Sequence, residues 1–198
     1  MGRPALHEAS TLVRVAQELA AAASGDHVTI AAVAQAAGAP VGSIYHRFGS
    51  RDRLMAAAWL DALSSFQPGF IDQMRQPGDS PGLAAVLFTT AWAREHPVRS
   101  RVLVLRGARE FGQERWTEME RERARSLAGN LESALQQFCL QYLGGVSGEH
   151  RRLATFALLD LPYAALRRYL AVGIAPPAEI DRYLAVSLPA LLPTARRG

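Results

Sequence analysis

Leu12, Val15, Ala16, Leu19, Ala20 and Ala23 recur at three- and four-residue spacing. That periodicity predicts an amphipathic helix over 5–23, ending before Ser24-Gly25-Asp26. Ile30, Val33, Ala34 and Ala37 form a second, shorter stripe that stops at Gly38, with Thr29 placed to cap its start. After Gly38-Ala39-Pro40 a third helix is expected over about 41–47. Its Ile44 and Phe48 face inward, Val41, Gly42, Ser43, His46 and Arg47 stay largely outside, and Tyr45 sits at the border. Gly49-Ser50 closes it, and Ser50 is placed to cap a fourth helix running from Arg51 toward Phe66, where Pro68 and Gly69 loosen the pattern.

Beyond residue 70 no strand-like alternation occurs, and Gly- and Pro-containing breaks divide the chain into further helices at about 81–95, 98–109, 113–143, 148–172 and 177–192. The expected fold is therefore all-α, with nine helices. An N-terminal three-helix, helix-turn-helix domain (1–50) is followed by a helical-bundle domain (51–198). Pro162 lacks a backbone donor and is expected to kink the eighth helix.

Two short helices joined at Gly38 and resting on a longer one form the pattern of a helix-turn-helix. Ala34 lets the helices approach, Gly38 permits the sharp turn, and Ile44 and Phe48 fix the third helix on its support. That helix could then enter a major groove. Val41 would touch a thymine methyl, Gly42 would let the phosphate backbone approach, and Ser43 would bond a base or phosphate. Tyr45 and His46 would donate to phosphates, Arg47 belongs to the same outer face, and Thr29 and Arg51 would turn helix N-termini, a hydroxyl and a charge toward the DNA backbone. Spacing alone leaves this reading level with a plain three-helix corner of an all-α core.

Composition changes the picture little. The net charge of +4 is spread along the chain, with five Arg against four acidic residues in 1–54, so it permits DNA binding without demanding it. All 22 basic residues are arginine. The single cysteine, Cys139, lies in the apolar run LQQFCLQYL and reads as a core residue that leaves no disulfide or zinc site. The histidines at 7, 27, 46, 96 and 150 show neither metal-ligand spacing nor a paired nucleophile, so neither enzyme activity nor a cofactor is expected. The N-terminus lacks the apolar core of a signal peptide, and there is no apolar run of membrane-spanning length, so the cytoplasm is the expected location.

The stretch TIAAVAQAAGAPVGSIYHRFGSRDRL resembles the DNA-binding signature of the tetracycline-repressor (TetR) family of bacterial transcription regulators. Thr29, Gly38, Gly42, Ser43, Tyr45, His46, Phe48 and Ser50 match that signature, and Arg51 replaces its usual Lys with charge retained. Pro40 stands where the family usually has a capping Ser or Thr, and Ala39 where Val is commoner. The resemblance covers about residues 6–60. It implies a regulator, usually a repressor, that binds a double-stranded, pseudo-palindromic operator as a homodimer. Helices eight and nine would form the four-helix interface, and a C-terminal pocket would take a small effector.

Composition agrees with the interface, because 153–173 and 180–193 are too apolar to stay exposed over two helices. Phe88, Trp92, Phe111, Trp116, Phe138, Tyr142 and Tyr163 suit a chamber for an apolar or aromatic effector, and equally suit a plain core. Asp160, with Thr89, Thr90 and Arg106, is a polar group embedded among them that would want a partner. The competing readings are a regulator of this fold that senses a protein partner or nothing, and a small-molecule binder whose N-terminal helices are only structural.

Overall fold

The computed structural model describes residues 4–22, 28–105 and 116–192, with side chains from residue 9 onward. Every regular element among them is helical. In chain order these are α1 (Pro4–Ala22), α2 (Ile30–Ala37), α3 (Val41–Phe48), α4 (Arg51–Met74), α5 (Leu83–Glu95), α6 (Pro97–Leu105) and α7 (Glu118–Phe138). A π-helical turn, Cys139–Leu143, follows, then α8 (Gly148–Thr155), a second π turn (Phe156–Asp160), α9 (Leu161–Ala171) and α10 (Glu179–Leu191).

Two departures from the expected helical spans bear on the packing, besides the later start and the terminal π turn of the helix expected over 113–143. The fourth helix does not end near Phe66 but passes through Pro68 to Met74. An internal proline costs about 3 kcal/mol, yet Phe70, Ile71 and Met74 beyond it are all buried, and that burial offsets the cost. Gly69 beside it has a separate role. A Cβ there would collide with the Phe88 ring, so only glycine lets α5 lie this close. The other departure is the span expected as one helix over 148–172. It is divided by the second π turn, where the Leu161 N–H bonds the Phe156 carbonyl five residues back. The widened turn precedes Pro162, whose missing N–H cannot continue the α pattern. A π turn thus stands where a proline kink was expected.

By its internal packing the chain separates into two units, Met1–Leu63 with Val98–Ala124 and Ser64–Pro97 with Arg125–Gly198. This differs from a linear division at residue 50, since α6 and the start of α7 group with the N-terminal helices. In the first unit Gln17 of α1 is buried, and its amide donates to the Ala58 carbonyl and to Asp61 Oδ2 of α4, both at 2.9 Å. Arg99 of α6 donates to the same carboxylate oxygen at 3.1 Å. Trp59 and Trp116 meet at 6.5 Å between ring centres.

The core of the second unit gathers Phe70, Val86, Leu135, Phe138, Leu158, Leu184 and Leu188 from α4, α5, α7, the second π turn and α10. Buried Cys139 belongs to it, and burial raises the thiol pKa above its ordinary value, as befits a packing residue. Arg94 of α5 locks α10 in place. Its guanidinium donates to both Asp181 oxygens at 2.8 and 2.9 Å and to the Pro176 and Pro177 carbonyls. Burial alone would raise the Asp181 pKa, but hydrogen bonds from Arg94 and Thr90 and the Arg94 charge outweigh it, so the carboxyl is held below its ordinary value.

Because both side chains of this pair are partly exposed, solvent screening limits its worth. We expect Arg94→Ala to cost about 1–2 kcal/mol, read as a Tm lower by about 3–6 °C. A folded pKa below the unfolded one means this contribution is present above about pH 4 and is lost as pH falls through the folded value. The Tm gap between wild type and Asp181→Asn should therefore be flat from pH 7 to 5 and narrow on acidification below 4.

Candidate nucleic-acid interface

The helix-turn-helix is assembled from local hydrogen bonds that its sequence specifies. The Thr29 hydroxyl oxygen accepts from the Ala32 N–H at 3.1 Å and caps α2. This use of the oxygen leaves the O–H as a donor. Gly38 ends α2 in the left-handed region at φ 62°, and the Ala39 N–H closes on the Ala34 carbonyl at 3.0 Å. Pro40 takes the N-cap position of α3 in extended conformation, so α3 begins at Val41 as expected. It does so without a side-chain cap.

Ser43 ties the first turn back to Pro40 without replacing that cap. Its N–H and its hydroxyl both bond the Pro40 carbonyl, at 3.0 and 2.7 Å. A carbonyl can only accept, so the Ser43 hydroxyl is the donor in that bond and keeps its lone pairs as acceptors. Ser43 is half-buried beside a cleft of about 530 Å³ whose walls also include Thr11, Leu12 and Pro40.

α3 has two sharply different faces. Ile44 is 0% exposed and Phe48 is half-buried, whereas Val41, Gly42, Tyr45 and His46 are exposed along one arc, Tyr45 at 51%. His46 and Arg47 lie in the last turn, where cations favour the negative end of the helix dipole. Ser50 caps α4 by accepting from the Arg53 N–H at 3.2 Å.

Arg51, expected to face the DNA backbone, and nearby Arg53 each have partners within the chain. Arg51 Nε donates to the Val28 carbonyl at 2.5 Å, and its Nη1 donates to Asp52 at 3.1 Å. Arg53 lies over Gly49 and 3.6 Å from Glu120 of α7. The cationic surface near α3 is thus smaller than the composition of the segment indicates.

The candidate effector residues are not brought together as a set. Phe88 and Trp92 ring Phe66 at 5.8 and 5.1 Å, and Phe138 meets Tyr142 at 4.9 Å, all in the second unit. Trp116 lies in the first unit against Trp59, Asp160 is exposed, and Tyr163 is 44% exposed. Phe111 and Arg106 lie outside the described residues. Thr89 donates to a carbonyl of its own helix, and the single O–H of Thr90 is shared between the Leu87 carbonyl and Asp181. Sequence reading missed the Gln17–Asp61–Arg99 and Arg94–Asp181 networks, whose partners stand 38 to 87 residues apart without any local signature.

A family model described as bacterial regulatory proteins, tetR family, matches residues 12–58, the segment whose geometry is set out above. Over that segment the chain is similar to the tetR family of bacterial regulatory proteins. Solved structures agree in fold over nearly the whole chain. A tetR-family transcriptional regulator from Streptomyces coelicolor is 20% identical with a TM-score of 0.63, covering 96% of this chain and 82% of its own. A TetR family transcription regulator from Marinobacter aquaeolei VT8 is 14% identical with a TM-score of 0.69, covering 99% and 100%. The transcriptional regulator FadR from Bacillus subtilis, in complex with stearoyl-CoA, is 11% identical with a TM-score of 0.60, covering 93% and 97%. No curated protein matches this chain in sequence.

Among the described residues no group of three or more His, Cys, Asp or Glu could hold a metal, and no helix is long and apolar enough to cross a membrane. The turn at Gly38 is open to direct test. Nothing lies within 4 Å of a Cβ built on Gly38, so Gly38→Ala meets only the strain of a left-handed φ. We expect a loss of about 1 kcal/mol, read as a lower denaturation midpoint with an unchanged m-value.

Proposed function

We propose that this regulator is a ligand-responsive repressor, not an enzyme, acting in the cytoplasm as a homodimer on a pseudo-palindromic operator. The observation that carries the reading is the exposed arc of α3, with Val41, Gly42, Tyr45 and His46 outward while Ile44 is fully buried. Ser43 and Arg47 flank that arc, and Thr29 aims an O–H from the N-terminus of α2. Val41 and Gly42 suit close approach in a major groove, whereas Tyr45, His46 and Thr29 suit phosphates.

The dimer reading rests on apolar side chains left exposed across α8–α10, the region read as helices eight and nine. Tyr183 and Val186 on α10 are 55% and 74% exposed, and Phe156 and Tyr163 are about half exposed. Two copies of this face would form a four-helix contact and bury them. For the effector, the aromatic rings of the second unit favour an apolar or aromatic molecule, and a neighbour in fold that holds stearoyl-CoA supports that class. Release from DNA would follow from an effector that binds one arrangement of the dimer better than the other.

Tyr45→Ala should weaken binding to a duplex that the wild-type protein enriches from a randomised pool by tenfold or more, at unchanged Tm. Equal binding by the variant would remove α3 from the interface. Val186→Glu should shift the protein to monomer in sedimentation, and a dimer that persists would place the interface elsewhere.

A further inference from the structure

We infer that α9 meets a second copy of itself antiparallel, about a two-fold axis between Tyr163 and Ala164, with Asp160 of each protomer paired to Arg167 of the partner subunit. This rests on the homodimer reading of the α8–α10 face and names the contact that sets the register of the two copies.

The two sides of α9 differ sharply. Pro162, Leu166 and Leu170 are buried, whereas Asp160, Tyr163, Ala164, Arg167 and Ala171 are exposed. At 3.6 residues per turn the exposed set falls within an arc of about 100°, a single stripe on the side away from the core. Phe156, just before it in the second π turn, is 47% exposed. Asp160 and Arg167 are the charged members of the stripe, and among the described residues neither has a hydrogen-bond or ion-pair partner within the chain. They stand two turns apart, about 10 Å along the axis. An apolar partner would strand both charges, and a partner of one sign would strand one of them. α9 itself carries the required pattern in reverse order.

A two-fold axis makes each contact occur twice, with the roles of the protomers exchanged. With the axis between Tyr163 and Ala164, Asp160 lies opposite Arg167, Tyr163 opposite Ala164, and Phe156 opposite Ala171. Each charge meets its opposite and each large ring meets a small side chain. Sliding one copy by a turn in either direction leaves both charges opposite uncharged side chains. The ion pairs therefore select one register of a contact whose area comes from apolar groups.

Charge exchange reads the pairing. Asp160→Arg alone brings two guanidinium groups together at both ends of the contact, and Arg167→Asp alone brings two carboxylates together. A mixed dimer of these two variants has opposite charges at both ends again. The variants are mixed, left to exchange subunits and counted by native mass spectrometry. Without preference roughly half of the dimers are mixed, and with each homodimer weakened about tenfold the mixed share rises to about 90%. Arg168→Asp is the control. It makes the same change of net charge one residue further round the helix, where Arg168 lies 5.2 Å from the centre of the Tyr169 ring. Mixed with Asp160→Arg, it should leave roughly half of the dimers mixed, because the repulsion at Arg167 is untouched.

The chain carrying both Asp160→Arg and Arg167→Asp restores the pairs within a homodimer and should sediment as the wild type does. A monomer there, a mixed share near one half with Arg167→Asp, or equal enrichment with Arg168→Asp overturns the pairing and leaves the homodimer standing. A wild type that sediments as a monomer overturns both.

Discussion

An eight-residue helix is too short to persist in water on its own, so everything α3 presents depends on the burial of Ile44 beneath it. Burying a branched aliphatic side chain contributes roughly 1.5–3 kcal/mol, more than any single surface hydrogen bond on this helix could offer. Once Ile44 is seated, period 3.6 leaves Val41, Gly42, Tyr45 and His46 no alternative to the outer arc. The Gly38 turn then sets the direction of approach, and the caps at Thr29 and Ser50 stop the neighbouring helices from fraying into it.

Polar groups in this molecule act mainly on each other. Arg51, Arg53, Arg94 and Arg99 all have protein partners, and each joins a helix to an element distant in sequence or to the next turn. Arginine suits this work because its planar fork can hold a carboxylate and carbonyls together, as Arg94 does with Asp181, Pro176 and Pro177. In a chain with 22 arginines and no lysine, charge is therefore a poor map of where DNA would lie. Exposure of uncharged side chains on α3 is a better one.

Pro68, Pro162 and Pro189 lie within helices of the second unit, and the first two have different outcomes. Pro68 sits within α4 because the residues after it are driven into the core, whereas Pro162 is accommodated by a π turn directly before α9. The same missing N–H is tolerated in one place by burial and in the other by a change of helix pitch. The face that α8–α10 leave exposed, with Tyr183 and Val186 outward, is the apolar remainder of that packing.

The sequence by itself determined the order and type of the helices, the caps at Thr29 and Ser50, the turn at Gly38 and the inward Ile44. Each of these follows from spacing within one or two turns of chain, where periodicity and side-chain chemistry act locally. Tertiary structure alone decided what lies far apart in sequence: that Arg51 turns to Val28, that Arg94 locks α10, that Gln17 meets Asp61, and that Trp116 and Phe88 fall in different units. No local pattern encodes such pairs, because a guanidinium near a solvent-exposed helix end and one near a buried carbonyl have the same sequence neighbours. Which partner it takes depends on the three-dimensional position of groups brought there by burial of the core.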